Sequence, residues 1–153
     1  MARKTTKETV REELPEPTPI RPGLPRRTKP VPRASATPDE EALALARRIV
    51  ELAEDKKASD IVLLEIGGLT TIADYFVICS GQSERQLGAI VDGIASALRD
   101  EGIKAVAREG KANAHWLLID YGSVIVHVMA PPERDFYQLE KLWADAPLLL
   151  RLQ

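Results

Sequence analysis

Residues 73–86, Ala-Asp-Tyr-Phe-Val-Ile-Cys-Ser-Gly-Gln-Ser-Glu-Arg-Gln, leave a folded chain little freedom. Phe76 to Cys79 is a short apolar run with β-branched and aromatic members, the composition of a buried strand. Gly81 permits a tight reversal directly after it. Ser83, with Gln86 three residues on, has the spacing of a capping box that opens a helix. Strand, glycine and helix N-terminus is the arrangement that collects anions and active sites in α/β folds.

The rest of the chain supplies partners for this unit. Thr37 can cap a helix, Pro38 suits its first position and Glu40 completes a capping box. Asp39, Glu40 and Glu41 favour the positive end of the helix dipole. Leu43, Ala46, Ile49, Val50 and Ala53 recur at helical spacing, so the helix is expected to run to about Asp55. Residues 61–66 read as a strand, apolar on both faces except Glu65 and ended by Gly67-Gly68. A second strand covers residues 75–80. A second helix covers 83–101, with Leu87, Ile90, Val91, Ile94 and Leu98 as its buried stripe and Gly102 as its stop. Residues 104–108 form a weak strand. Residues 115–120 and 123–130 form strong ones, joined as a hairpin by the two-residue turn Tyr121-Gly122. Pro131-Pro132 breaks the last strand, residues 133–143 form a short helix, and Asp145-Ala146-Pro147 ends the regular structure. The expected fold is an α/β domain whose mixed five-stranded sheet is flanked by helices.

Residues 1–38 differ in kind. They hold eight of the eleven prolines, and a charge balance of 9 − 4 = +5 against 12 − 19 = −7 for residues 39–153. Their few isolated apolar residues cannot offset the entropy of ordering, so a disordered tail with polyproline-like character is expected. It reads either as a basic arm touching nucleic-acid phosphates or as a solubilising extension. Glu8, Glu12, Glu13 and Glu16 dilute its charge and argue against an organelle transit peptide. The expected division is a tail at 1–38, an α/β domain at 39–147 and a C-terminal tail at 148–153. The single cysteine, Cys79, precludes an intramolecular disulfide and fits a reducing, cytoplasmic setting. No apolar run approaches the ~20 residues of a membrane span, and no apolar segment near Met1 suggests a secretory signal.

Catalytic chemistry finds weak support. A strand-to-helix turn such as residues 80–83 holds triphosphates in nucleotidyltransferases, and a nucleotide-binding or nucleotidyltransferase-like enzyme is the alternative reading. Such enzymes need two or three neighbouring carboxylates for metal ions, usually two at alternate positions of one strand. Here Glu65 and Asp120 stand singly on different strands and Asp74 precedes its strand. The turn lacks the Gly-Lys-Ser/Thr of a P-loop. Cys79 lies among apolar neighbours and reads as core. His115 and His127 are the only histidines, too few without a carboxylate motif for a metal site, and His127 reads as a half-buried structural residue. No catalytic residue, metal or cofactor is expected.

Apolar surface is the less ordinary feature. Alternation puts Trp116, Leu118 and Asp120 on one face of a strand, and Ile125, His127 and Met129 on one face of the next. A hairpin sets these side by side. If helices leave that face uncovered it is a docking surface; if they cover it, it is core. Spacing alone leaves both open.

Residues 71–81 (Thr-Ile-Ala-Asp-Tyr-Phe-Val-Ile-Cys-Ser-Gly), with Ser83 and Arg85-Gln86, resemble the signature of the Iojap/RsfS family of ribosomal silencing factors. So do Glu109-Gly110, residues 116–122, 124–128 and 136–143, in the family's order across residues 39–147. The resemblance implies a nucleotidyltransferase-like topology without the catalytic acids. It also implies a non-enzymatic role: binding ribosomal protein fourteen of the large subunit, blocking the joining of the small subunit, and lowering translation when nutrients are scarce. Homodimers are a further implication, and for a chain of this family the nucleic acid that a basic tail would touch is ribosomal RNA. Carried onto this sequence, the partner-binding residues are Trp116, Leu118, Asp120, Tyr121, His127 and Met129, with Glu109 as an acidic contact. Many relatives carry an acid after the Tyr-Gly turn, where this chain has Ser123.

Overall fold

The structure, a computed structural model, describes residues 38–153. The expectations for the tail, and for Thr37 as a cap, fall outside the described residues. Helix α1 spans Pro38–Asp55, with Asp39, Glu40 and Glu41 in its first turn as expected. Strands β1 (Ser59–Glu65) and β2 (Tyr75–Ser80) follow, then helix α2 (Glu84–Asp100). The Ser83 hydroxyl accepts from the Gln86 backbone N–H at 3.1 Å, and the Gln86 side chain accepts from the Gln82 N–H at 2.7 Å. The cap is thus reciprocal, reaching one residue further back than the usual box. At the other end Gly102 is left-handed, φ +87°. Its N–H reaches the Arg99 carbonyl, and that of Ile103 reaches Leu98. This is a Schellman closure, which a side chain at Gly102 would strain.

Strand β3 is short, Ala107–Glu109, and fully exposed. Strands β4 (Trp116–Asp120) and β5 (Val124–Met129) form the expected antiparallel hairpin. Its turn is Gly122-Ser123 rather than Tyr121-Gly122, because the Tyr121 N–H bonds to the Val124 carbonyl.

Two expectations are corrected here. The helix expected at 133–143 starts earlier and is broken. Helix α3 is Pro131–Tyr137, α4 is Leu139–Leu142, and Gln138 between them is left-handed at φ 48°. Pro131 and Pro132 end β5 but sit in the first turn of α3, where a missing N–H costs nothing. The sheet has six strands, not five. Residues 148–152, expected as a tail beyond the regular structure, form β6 along the open edge of β1. Three consecutive leucines show no period of two, and leucine has no special strand preference. This strand is imposed by the edge it pairs with.

The strand order is β3-β4-β5-β2-β1-β6, with β2 and β5 parallel and every other pair antiparallel. Helices α1 and α2 cover one face. The α2 stripe Leu87, Ile90, Val91, Ile94 and Leu98 is entirely buried there, against Leu63, Val77, Ile119, Val126 and Val128. Cys79 is in this core, its thiol pushed up to about 12 by burial, so it is an inert packing group. The other face carries a second core of Val62, Leu64, Ile66, Phe76, Ile78 and Met129, covered by Leu139, Trp143 and Ala146.

Candidate functional site

One row of cross-strand partners runs Glu109, Leu118, His127, Ile78, Val62, Arg151 from edge to edge, and its members share the face away from α1 and α2. Trp116 lies opposite Met129, and Asp120 opposite Ile125, on that same face. The sheet therefore brings together six of the seven residues singled out above: Glu109, Trp116, Leu118, Asp120, His127 and Met129. Tyr121 is not among them. It pairs with Val124 and packs in the helix-side core, 9 % exposed.

The six differ in access. Met129 and His127 are buried, at 0 % and 5 % exposure. Trp116, Leu118 and Asp120 are half-buried and Glu109 is exposed. His127 thus works from beneath. The Trp116 Nε1–H donates to His127 Nδ1 at 3.2 Å. An indole N–H can only donate, so Nδ1 is an acceptor and the neutral ring carries its proton on Nε2. Burial, with Arg134 nearby, pushes the His127 pKa down to about 3, which keeps the ring neutral. The sequence reading of a half-buried residue underestimated how deep it sits.

Trp116 is one link in a chain of rings. Trp143 meets Phe76 edge-on at 5.4 Å between centroids, and Phe76 meets His127 at 4.7 Å. His127 lies 6.0 Å from Trp116, Trp116 4.6 Å from Tyr137, and Tyr137 4.9 Å from Phe136. The chain begins in the core and ends at Phe136, which is 78 % exposed. Phe136, Tyr137 and the exposed Leu142 were not among the expected site residues. Their signal was an aromatic pair on a short helix, which does not say where the helix will lie.

Backbone constraints converge here too. Gly110 is left-handed, and a Cβ on it would collide with the Trp116 carbonyl oxygen, so only glycine lets β3 approach β4 at this point. His115, just before Trp116, is left-handed as well, φ 64°. Its ring nitrogens face Glu84 at 3.1 Å and Glu133 at 3.5 Å, tying the hairpin to the starts of α2 and α3. The hydrogen bond to Glu84, helped by Glu133, raises the His115 pKa.

The turn after β2 is occupied by its own structure. The Ser80 hydroxyl accepts from Arg134 at 2.8 Å, Ser83 caps α2, and Gln86 holds both the Gln82 N–H and the Lys57 carbonyl. Neither of the two best-formed concavities reaches it. One lies between α1 and α2, about 610 Å³, and the other lies between α1 and β6, about 320 Å³. No described helix is long and apolar enough to cross a membrane.

Fold and site together describe a mixed α/β domain with one face closed by long helices, the other carrying an aromatic cluster that reaches the surface. The family description "ribosomal silencing factor during starvation" matches residues 39–152, and the chain belongs to that family. The ribosomal silencing factor RsfS of Halalkalibacterium halodurans is 45 % identical over 109 residues, 71 % of this chain and 91 % of that protein. The RsfS of Bacillus subtilis is 46 % identical over 95 residues, 62 % of this chain and 80 % of that one. The crystal structure of a Chromobacterium violaceum protein superposes with a TM-score of 0.65 at 34 % identity, covering 67 % of this chain and 86 % of that one.

Proposed function

We propose that this protein represses translation by binding the large ribosomal subunit through ribosomal protein fourteen and physically excluding the small subunit when nutrients are limiting. The observation that carries this reading is Trp116: a half-buried indole, braced by His127 and Tyr137, on a sheet face that helices leave partly open. A braced aromatic beside exposed apolar groups is the makeup of an interface anchor. Glu109 and Asp120 share its face further along the sheet, beside Leu118, and residues 39–153 carry 12 − 19 = −7, which suits a basic ribosomal protein and steers the encounter. Inhibition then needs only the bulk of a folded domain at a contact between subunits.

The test is co-sedimentation with purified large subunits. Trp116→Ala is expected to weaken binding by more than about ten-fold, roughly 1.4 kcal/mol or more, while the domain stays folded. Binding of that variant with unaltered affinity would refute this placement of the interface.

A further inference from the structure

Arg134 is 6 % exposed and is the one buried cation among the described residues. A buried guanidinium is costly unless it is paired and hydrogen-bonded, and each of its three nitrogens makes a hydrogen bond. Nε and an Nη atom both donate to Glu140 Oε2, at 3.0 and 2.8 Å. The other Nη donates to the Ser80 hydroxyl at 2.8 Å. Asp60 Oδ2 stands 3.6 Å away, and its second oxygen faces Arg151 of β6 at 2.9 Å. Asp60 is itself left-handed, φ 48°, where the β1 register slips. One side chain on α3 therefore fastens α4, the end of β2 and the irregular start of β1.

The other holds on the α3–α4 elbow lie at its two ends, Glu133 facing His115 before it and Leu139, Trp143 and Ala146 packed on the second core after it. Helix α3 has seven residues and no side-chain cap, and α4 has four. Helices this short do not persist by themselves. The elbow turns at Gln138, whose N–H bonds to the Arg134 carbonyl at 3.0 Å. Phe136, next along the chain, is 78 % exposed, and Tyr137 is 45 % exposed and meets the sheet face through Trp116. Tyr137 is thus the elbow's ring against Trp116, at 4.6 Å between centroids.

Resting on the docking reading above, we propose that Arg134 is the positioning residue of the docking face: it pins the α3–α4 elbow to the sheet and so holds Tyr137 against Trp116. Its bonds reach only the elbow and the strand ends of this face, and none reaches the packing beneath α1 and α2. Its loss acts on the geometry of the aromatic face before it acts on the helix-side core.

The experiment uses the full chain labelled with 5-fluorotryptophan. The two tryptophans give two fluorine resonances, assigned with Trp116→Phe, and each variant is also co-sedimented with large subunits. Arg134→Met removes the clamp. Arg134→Lys keeps a charge but loses the fork that holds Glu140 and Ser80 together, and serves if the first variant fails to fold. Leu98→Ala, in the helix-side core, is the control for destabilisation alone. The expected result is that the Trp116 resonance shifts or broadens in the Arg134 variants and affinity falls about ten-fold, while Leu98→Ala alters neither. An unchanged Trp116 resonance with unchanged affinity in the Arg134 variants overturns the inference, as does an equal loss of affinity in Leu98→Ala. If Trp116→Ala weakens binding and the Arg134 variants do not, the positioning role alone fails. If Trp116→Ala binds normally, the docking reading fails and takes this role with it.

Discussion

The two faces of the sheet are built on different principles. Beneath α1 and α2 the core is aliphatic, and its only aromatic residues are Tyr75 and Tyr121. The other face carries the remaining five of the seven aromatic residues, together with the buried His127, Arg134 and Ser80. Long amphipathic helices close the first face by apolar area. A short elbow held by polar bonds half-closes the second. Aliphatic packing tolerates no gaps but demands no particular orientation from its members, whereas rings and hydrogen bonds fix directions. The first face suits stability and the second suits presenting a defined surface.

Leu98→Ala puts the largest strain on this division. Leu98 is fully buried at 0 % exposure, and truncation there is expected to cost about 2–5 kcal/mol in denaturant unfolding. If the faces are as separate as their chemistry suggests, large-subunit binding at low temperature is unaffected. A parallel loss of binding would mean that the faces act as one unit.

A second effect, growing as pH falls, separates the two histidines. The folded-state pKa of His127 is depressed to about 3, chiefly by burial and then by Arg134. Above its unfolded value of about 6.5 the ring is neutral in both states and contributes no pH dependence. Below that, the unfolded chain binds a proton that the folded one refuses. Stability therefore falls by about 1.4 kcal/mol per pH unit until the folded value is reached. His115 has the opposite sign. Its pKa is raised, so its contribution is full below the unfolded value and fades as pH rises through the folded one. Its side chain is 39 % exposed, so water screens it. Urea titrations of wild type and His127→Gln at pH 7 and pH 5 isolate the buried ring, since glutamine can still accept from Trp116. The variant is expected to lose markedly less stability between the two pH values. Equal losses would mean that His127 is open to protonation and that its face is looser than its packing indicates.

Local signals made much of this legible in the sequence. The run at Phe76 to Cys79, the cap at Ser83 and the leucine–isoleucine stripe of α2 each depend on neighbours within a few residues. Strand alternation also gathered Trp116, Leu118, Asp120, His127 and Met129 on one face, because a period of two survives a small error in the turn, whereas Glu109 came from the family resemblance. What stayed hidden depends on distant partners. Leu148 to Leu152 becomes a strand only because β1 offers an edge. Tyr121 packs on the helix side because the strand pairing runs on through it and the turn lies one residue later, at Gly122-Ser123. Arg134 carries no local mark at all, since Ser80 stands 54 positions away.

Phe136 gives the finest test of the division, because on it stability and binding should part completely. At 78 % exposure its ring has almost no burial to lose on truncation, and it touches only Tyr137 among the described rings. Phe136→Ser is therefore expected to leave unfolding free energy within about 0.5 kcal/mol of wild type. An exposed phenyl ring at the end of a braced aromatic chain has no evident use in the free protein. If it forms the outer part of the docking surface, its removal weakens co-sedimentation with large subunits by a few-fold, less than the loss at Trp116, because rim groups contribute less than a central anchor. Unchanged binding would confine the surface to the hairpin around Trp116 and leave the exposure of Phe136 without a role. A loss of stability instead would show that the outer rings support the elbow, and that the second face resembles the first more than its chemistry suggests.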